Sequence, residues 1–279
     1  MGARDTTPSP RSTSKAAREA LESLSKNPKE TGICADFDGT LAEITADPAS
    51  AVPLPGVLAT LDRLVRSFGV VGVVSGRPGA FLSERLEVAN RAPGLCVYGL
   101  YGSEHVTQTG EVIAREAPSG WSRALEEAAS ALERSAPTGC TVEIKGTSVA
   151  LHWRNAPAEA ARAHELARAC ANKFGLSLLR ARKAVELVPP GTPNKGDVVE
   201  ALLDKCSTTC VLGDDEGDLA AFEALDRLAS KHPIVAVRIA INSNEAPEAL
   251  IASADLVLDC PREAISFLSR LASVHSAES

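Results

Sequence analysis

From residue 31 to 115, and again from 195 to the end, short apolar runs alternate with stretches whose apolar positions recur every three or four residues. Ile33-Cys34-Ala35 after Gly32, and the runs 68–74, 95–101, 208–212, 234–240 and 256–258, read as strands, the first of them reaching Asp38. Runs that are apolar throughout, rather than alternating, belong to strands covered on both faces. Between them Pro55 opens a helix with Val57, Leu58, Leu61, Leu64 and Val65 on one stripe, and Pro78 opens another. Helices are also predicted over 195–206, 215–229 and 261–272, and Ala17, Leu21 and Leu24 place a short leading helix over 14–25. Buried strands alternating with amphipathic helices predict the α/β class, with a doubly wound, Rossmann-like parallel sheet.

The middle of the chain breaks this rhythm. Trp121, Leu125, Ala128 and Leu132 fit one helix, and 157–174, with Leu166, Cys170 and Phe174 inward, fits a second. Between them 141–145 and 148–154 flank Gly146-Thr147, a two-residue hairpin loop with glycine first. That loop sets a register. Ile144 lies opposite Val149, and Val142 opposite Leu151, on an apolar face. Lys145 lies opposite Ser148, Glu143 opposite Ala150, and Thr141 opposite His152, on a polar face. Trp153 falls on the apolar side and is predicted to be core. The runs 176–179 and 184–188 add two strands, where Glu186 is out of phase with Val185 and Leu187 and joins the polar face. The middle is therefore predicted to be an α+β cap over 116–190, inserted into a core built from 14–115 and 191–279, with 1–13 a disordered tail.

At 279 residues, 44% apolar and 23% charged, the chain has ordinary globular composition and is long enough for two cores. A net charge of −7 removes the electrostatic footprint of a nucleic-acid or anionic-membrane binder. No apolar run approaches a membrane span, and none at the start resembles a secretory leader; a cytoplasmic protein and a monomer are expected. The seven cysteines, an odd number without Cys-x-x-Cys spacing, read as reduced thiols rather than disulfides or metal ligands.

Chemistry-bearing residues gather at predicted strand ends, where ligands of an open parallel sheet collect. Asp36 and Asp38 begin on one face of their strand, with Phe37 on the other, before a Gly39-Thr40 turn. Two acids at the end of a buried strand are costly unless a cation neutralises them, and all-oxygen ligands point to Mg²⁺; the same residues also suit a solvated turn. Ser75-Gly76-Arg77 stands at the next strand end, where with Pro78 it equally suits a helix cap. Gly213-Asp214-Asp215-Glu216-Gly217-Asp218 follows the run 208–212. Its acids either complete a hard-cation site with Asp36 or favour a helix N-terminus. Lys195 opens a helix, either to bind phosphate and damp repulsion among the acids or as a surface lysine. His105 and His152 have no metal-ligand partners at useful spacing, so no zinc is expected.

The ordered set Asp36-x-Asp38-Gly39-Thr40, Ser75, Lys195 and Gly213-Asp214-Asp215 resembles the haloacid dehalogenase superfamily of phosphatases. Longer stretches resemble the trehalose-6-phosphate phosphatase family over roughly residues 31–270: Asp38-Gly39-Thr40-Leu41-Ala42-Glu43-Ile44, Ser75-Gly76-Arg77, Val142-Glu143-Ile144-Lys145-Gly146, Ala150-Leu151-His152-Trp153-Arg154, Val185-Glu186-Leu187 and Lys195-Gly196. The resemblance implies Mg²⁺-dependent hydrolysis of trehalose 6-phosphate through an aspartyl-phosphate. It implies Asp36 as nucleophile, Asp38 as general acid and then base, and Ser75 and Lys195 on the phosphate. It places Mg²⁺ on Asp36, the Asp38 main-chain carbonyl and Asp214, supported by Asp215 and Asp218, and it places Arg77, Glu143, Lys145 and Glu186 on the substrate. The alternatives are another capped sugar phosphatase, acting on sucrose 6-phosphate or a mannosyl phosphoglycerate, and a catalytically silent sugar-phosphate binding protein. Two motifs depart from the family. Gly99-Leu100-Tyr101-Gly102 stands where Gly-x-His-Gly is usual, and Gly217-Asp218-Leu219-Ala220 where Thr-Asp-Glu-Asp is usual.

Overall fold

The computed structural model of the chain describes residues 10–45, 47–115, 120–243 and 246–274. They divide into two compact units, 1–113 with 195–279, and 114–194. The first unit opens with α1 (Pro10–Ser25), β1 (Thr31–Ala35), α2 (Val57–Ser67), β2 (Val70–Val74), α3 (Gly79–Arg85), β3 (Leu95–Gly99), β4 (Glu104–Val106) and β5 (Val112–Ala114). The second unit holds α4 (Ser122–Ser135), β6 (Thr141–Ile144), β7 (Val149–His152), α5 (Ala160–Phe174), β8 (Ser177–Ala181) and β9 (Ala184–Val188). The chain then returns through α6 (Lys195–Leu203), β10 (Thr208–Gly213), α7 (Glu216–Lys231), β11 (Val235–Ile241), α8 (Glu248–Ser253), β12 (Leu256–Leu258) and α9 (Pro261–Ser273).

In the first unit the sheet order is β12-β11-β10-β1-β2-β3-β4-β5, parallel from β12 to β3, with β4 antiparallel to β3. The strand order reverses at β1, whose neighbours are β10 and β2, so the carboxyl ends of these three strands open onto one crevice. Alternation along β1 shows why the sheet is covered twice. Ile33 and Ala35 join a core with residues of α1, α2 and α9, whereas Cys34 faces the other way, into a core with α6, α7 and α8. The predicted doubly wound sheet is therefore the observed one. Helix α1 starts at Pro10 rather than at residue 14, with proline tolerated in its first turn; residues 1–9 of the predicted tail lie outside the described residues. Helix α8 was not predicted, and among the described residues no helix is long and apolar enough to cross a membrane.

The second unit is an antiparallel sheet, β6-β7-β9-β8, with α4 and α5 packed on one face. The hairpin register is the predicted one, Ile144 opposite Val149, Val142 opposite Leu151, Glu143 opposite Ala150 and Thr141 opposite His152. Gly146 sits at φ +78°, a conformation the tight loop demands and other residues resist. Val149, Leu151 and Trp153 are buried among Leu125, Leu132, Ala163 and Ala167. Ile144 departs from the prediction. It lies at the hairpin end and is 61% exposed, though its register is correct.

Candidate active site

The first cluster is built by the turn that ends β1. Asp36 still ladders to β10 through its N–H on the Leu212 carbonyl (3.0 Å), and then the Phe37 carbonyl accepts from the N–H groups of Leu41 and Ala42 (2.9 Å each), closing a tight turn. Phe37 is buried in the core, whereas Asp38 is partly open. Gly39, at φ +76°, makes this turn possible, and a Cβ there would lie 2.1 Å from Asp214 Oδ2. Gly39→Ala is expected to cost about 2–4 kcal/mol, combining a left-handed non-glycine residue with displacement of a buried carboxylate. A fall in the urea midpoint checks this.

The second cluster ends β10. Asp214 is fully buried, and Asp215 caps α7, accepting from the Gly217 N–H at 2.8 Å in a capping box with Asp218. Asp218 Oδ2 turns back to accept from the N–H groups of Asp214 (2.9 Å) and Asp215 (3.1 Å). The space for that reach is Gly213, where a Cβ would fall 2.1 Å from the Asp218 carboxyl carbon. The acids thus cap the start of a helix, one of the two readings the sequence left open, and they also gather beside Asp36.

Lys195, the first residue of α6, points into these acids and is 2% exposed. Its Nζ lies 2.8 Å from Asp218 Oδ1, 3.1 Å from Asp36 Oδ1 and 3.6 Å from Asp215 Oδ1. Burial works against its charge, but the carboxylates of Asp215, Asp218 and Asp36 outweigh it and hold its pKa well above the ordinary lysine value. Burial pushes the Asp218 carboxyl the other way from its usual ionised state, to a pKa well above the ordinary value; Lys195 opposes that rise, and Asp36, Asp215 and Asp214 add to it. One ammonium faces three carboxylates, with Asp214 beside them.

That imbalance is the test of whether a metal belongs here. Asp36, Asp214 and Asp218 each present a carboxylate oxygen within 4.8 Å of the others, all three buried. Such an all-oxygen, strongly anionic set fits a hard divalent cation. Asp218 also accepts from two backbone N–H groups and from Lys195.

The third cluster follows β2. Ser75 is buried, and its Oγ accepts from the Arg77 N–H at 3.3 Å. Arg77 does not reach into open space. Its Nε donates to Asp38 Oδ2 (2.6 Å) and its Nη2 to Asp38 Oδ1 (2.7 Å). This loop is strapped to Leu100 and Tyr101, whose N–H groups donate to the carbonyls of Arg77 and Ser75 (2.9 Å each). Both residues hold positive φ, 46° and 57°, at about 1–2 kcal/mol each. The Tyr101 ring lies against Gly76, where a Cβ would come within 2.6 Å of it. The sequence marked Tyr101 only as a departure, and its left-handed backbone carried no local signal, since glycine stands on the next position instead.

In the second unit, Glu143, Ala150, Glu186 and Leu179 form one row across the sheet. Glu186, 5% exposed, accepts from Lys145 Nζ (2.5 Å) and Ser148 Oγ (2.9 Å). Glu143 pairs with His152 Nε2 at 2.9 Å and lies 3.9 Å from Lys145. The predicted trio thus stands together on the face away from the helices, and His152, expected on the same polar face, joins it through Glu143.

The model of the family described as trehalose-phosphatase matches residues 34–255. The chain is 34% identical over 251 residues to a trehalose-phosphate phosphatase of Mycobacterium marinum, and 30% identical over 260 residues to that of Mycobacterium leprae. These matches cover 85% and 88% of this chain but 60% and 58% of those relatives, so the chain spans about three fifths of their length. The C-terminal domain of the Candida albicans trehalose-6-phosphate phosphatase has the same fold, with a TM-score of 0.69 at 20% identity, covering 92% of this chain and 96% of that one. An Aspergillus fumigatus trehalose-6-phosphate phosphatase gives 0.66 at 22% identity, covering 92% and 97%. With the family's match running from the strand that ends in Asp36 past the acids that follow β10, the chain belongs to the trehalose-phosphatase family.

Proposed function

We propose that the chain hydrolyses trehalose 6-phosphate to trehalose and phosphate. The observation that carries this reading is the meeting of Asp36, Lys195 and Asp214 at the ends of adjacent strands, in a chain of this family. Asp36 attacks phosphorus and the bond to the sugar oxygen breaks, giving an aspartyl-phosphate, while Asp38 gives its proton to the leaving oxygen. Asp38 then takes a proton from water, which attacks phosphorus and frees Asp36. Lys195 and Ser75 hold phosphate oxygens; the Lys195 ammonium also damps repulsion among the acids around it. We assign Mg²⁺ to Asp36, the Asp38 carbonyl and Asp214, with Asp215 and Asp218 in support; when bound, it supplies the charge that lets a carboxylate approach a phosphate dianion.

Glu143, Lys145 and Glu186 are proposed to hydrogen-bond sugar hydroxyls, which gives the 114–194 unit the part of a specificity cap. Glu143→Ala is expected to lower kcat/KM for trehalose 6-phosphate about 10–100-fold while changing that for p-nitrophenyl phosphate less than about threefold. Equal losses on both substrates count against the assignment. The buried thiols of Cys34, Cys170, Cys206 and Cys210 suit a reducing, cytoplasmic setting. The test of the whole reading is phosphate release in Mg²⁺ from a panel of trehalose 6-phosphate, sucrose 6-phosphate, mannosyl phosphoglycerate and glucose 6-phosphate. Trehalose 6-phosphate is expected to lead; a flat panel or a different leader overturns the substrate, and binding without release favours a silent sugar-phosphate receptor.

A further inference from the structure

We propose that Arg77 is the positioning residue for the acid–base carboxylate, holding Asp38 in one orientation through a two-pronged pair that Phe81 and the Leu100-Tyr101 turn keep in place. The inference rests on the reading in which Asp38 moves the proton. Sequence resemblance put Arg77 on the substrate, but its fork is committed to both oxygens of Asp38, at 2.6 and 2.7 Å, with the two side chains only 19% and 22% exposed. A planar guanidinium matched to a carboxylate in this way fixes direction as well as distance, which a lysine does not.

The fork is itself held. Its central carbon lies 4.7 Å from the centre of the Phe81 ring, and Phe81 stands edge-on to Phe37, 5.9 Å away at 87°. Phe37 is the residue between the two acids, so one aromatic pair ties the guanidinium to the turn that carries its partner. The Arg77 backbone is fixed at the other end, by the Leu100 N–H on its carbonyl and by the Tyr101 ring across Gly76. Two consecutive left-handed residues persist in that turn, the kind of strain a packed functional site retains. The pair does not block the chemistry. An ionised carboxylate offers about four lone pairs, and a bidentate arginine uses one on each oxygen, fewer than the group has.

Phe81 separates positioning from binding, because its apolar ring touches the Arg77 guanidinium and offers substrate no hydrogen bond. The experiment compares Phe81→Leu and Arg77→Lys with the unmodified chain on trehalose 6-phosphate and p-nitrophenyl phosphate, with melting temperatures alongside. Both variants are expected to stay folded with KM for trehalose 6-phosphate within about twofold, while kcat on that substrate falls about 10-fold for Phe81→Leu and about 100-fold for Arg77→Lys. With p-nitrophenyl phosphate the first step needs no proton donor, whereas hydrolysis of the aspartyl-phosphate still needs the base. The variants should therefore release a burst of about one nitrophenol per protein and accumulate acid-trapped phosphoprotein. A merely structural role slows neither step preferentially. Proportional losses on both substrates without a burst overturn the proposal, as does a tenfold rise in KM at unchanged kcat, which marks Arg77 as a substrate ligand. No turnover by the unmodified chain overturns the phosphatase reading, and this inference with it.

Discussion

Asp36→Asn is expected to lower phosphate release from trehalose 6-phosphate by about ten-thousandfold or more while the protein stays folded. The two halves of that expectation have separate causes. An amide has the shape of the carboxylate but no nucleophilic charge, so the covalent step is lost. Stability is preserved because the change removes one acid from a crowded group around a single ammonium, and Lys195 keeps Asp218 and Asp215 as partners. A melting temperature equal to or above that of the unmodified chain, with phosphate release at background, is the expected pair of readings. Turnover near the unmodified rate removes Asp36 from the chemistry.

Lys195→Met is expected to damage both folding and activity. The side chain is buried with three carboxylates around it, and breaking such a pair from one side leaves charge in a dry site, at about 3–5 kcal/mol. Turnover should fall about a thousandfold, the order of loss for a preorganised charge that faces the developing transition state. The pH dependence has a definite sign. Burial already raises the Asp218 pKa above the carboxylate value of 3.8, so the folded chain holds that proton more tightly than the unfolded one. Without the ammonium the rise should grow. The variant's stability deficit should therefore be full at neutral pH and shrink as pH falls through the raised folded value toward 3.8. Added Mg²⁺ should recover part of the loss at neutral pH by binding only the folded state. Urea melts at several pH values, with and without Mg²⁺, read all of this, and a melt unaffected by the substitution contradicts it.

What could be read from the residues depended on how local its cause was. The hairpin from Thr141 to His152 was legible to the residue pair, because a period of two and one glycine in the loop leave a single register. Ile144 escaped the reading because register decides which face a residue takes, not whether a helix reaches far enough to cover it. Helix α8 has only Leu250 buried in six residues, too little for a periodic signal. The gathering of acids at the strand ends was legible, since acids closing apolar runs stand out. Their connections were not. Arg77 and Asp38 are 39 residues apart, and each suits a phosphate site on its own, so nothing in the sequence pairs them with each other. The cap at Asp215 and the gathering of Asp218 with Asp36 and Asp214 could not be told apart in advance, because a helix N-terminus and a cation site both favour carboxylates.

The central claim is that these acids and this lysine form a phosphoryl site that works only with a divalent cation. The most direct measurement is phosphate release from trehalose 6-phosphate by chelator-treated protein, followed as Mg²⁺ is titrated back. The expected result is background release in EDTA, rising to a saturating rate with added Mg²⁺. Full release in excess EDTA, or none at any Mg²⁺ concentration, contradicts it.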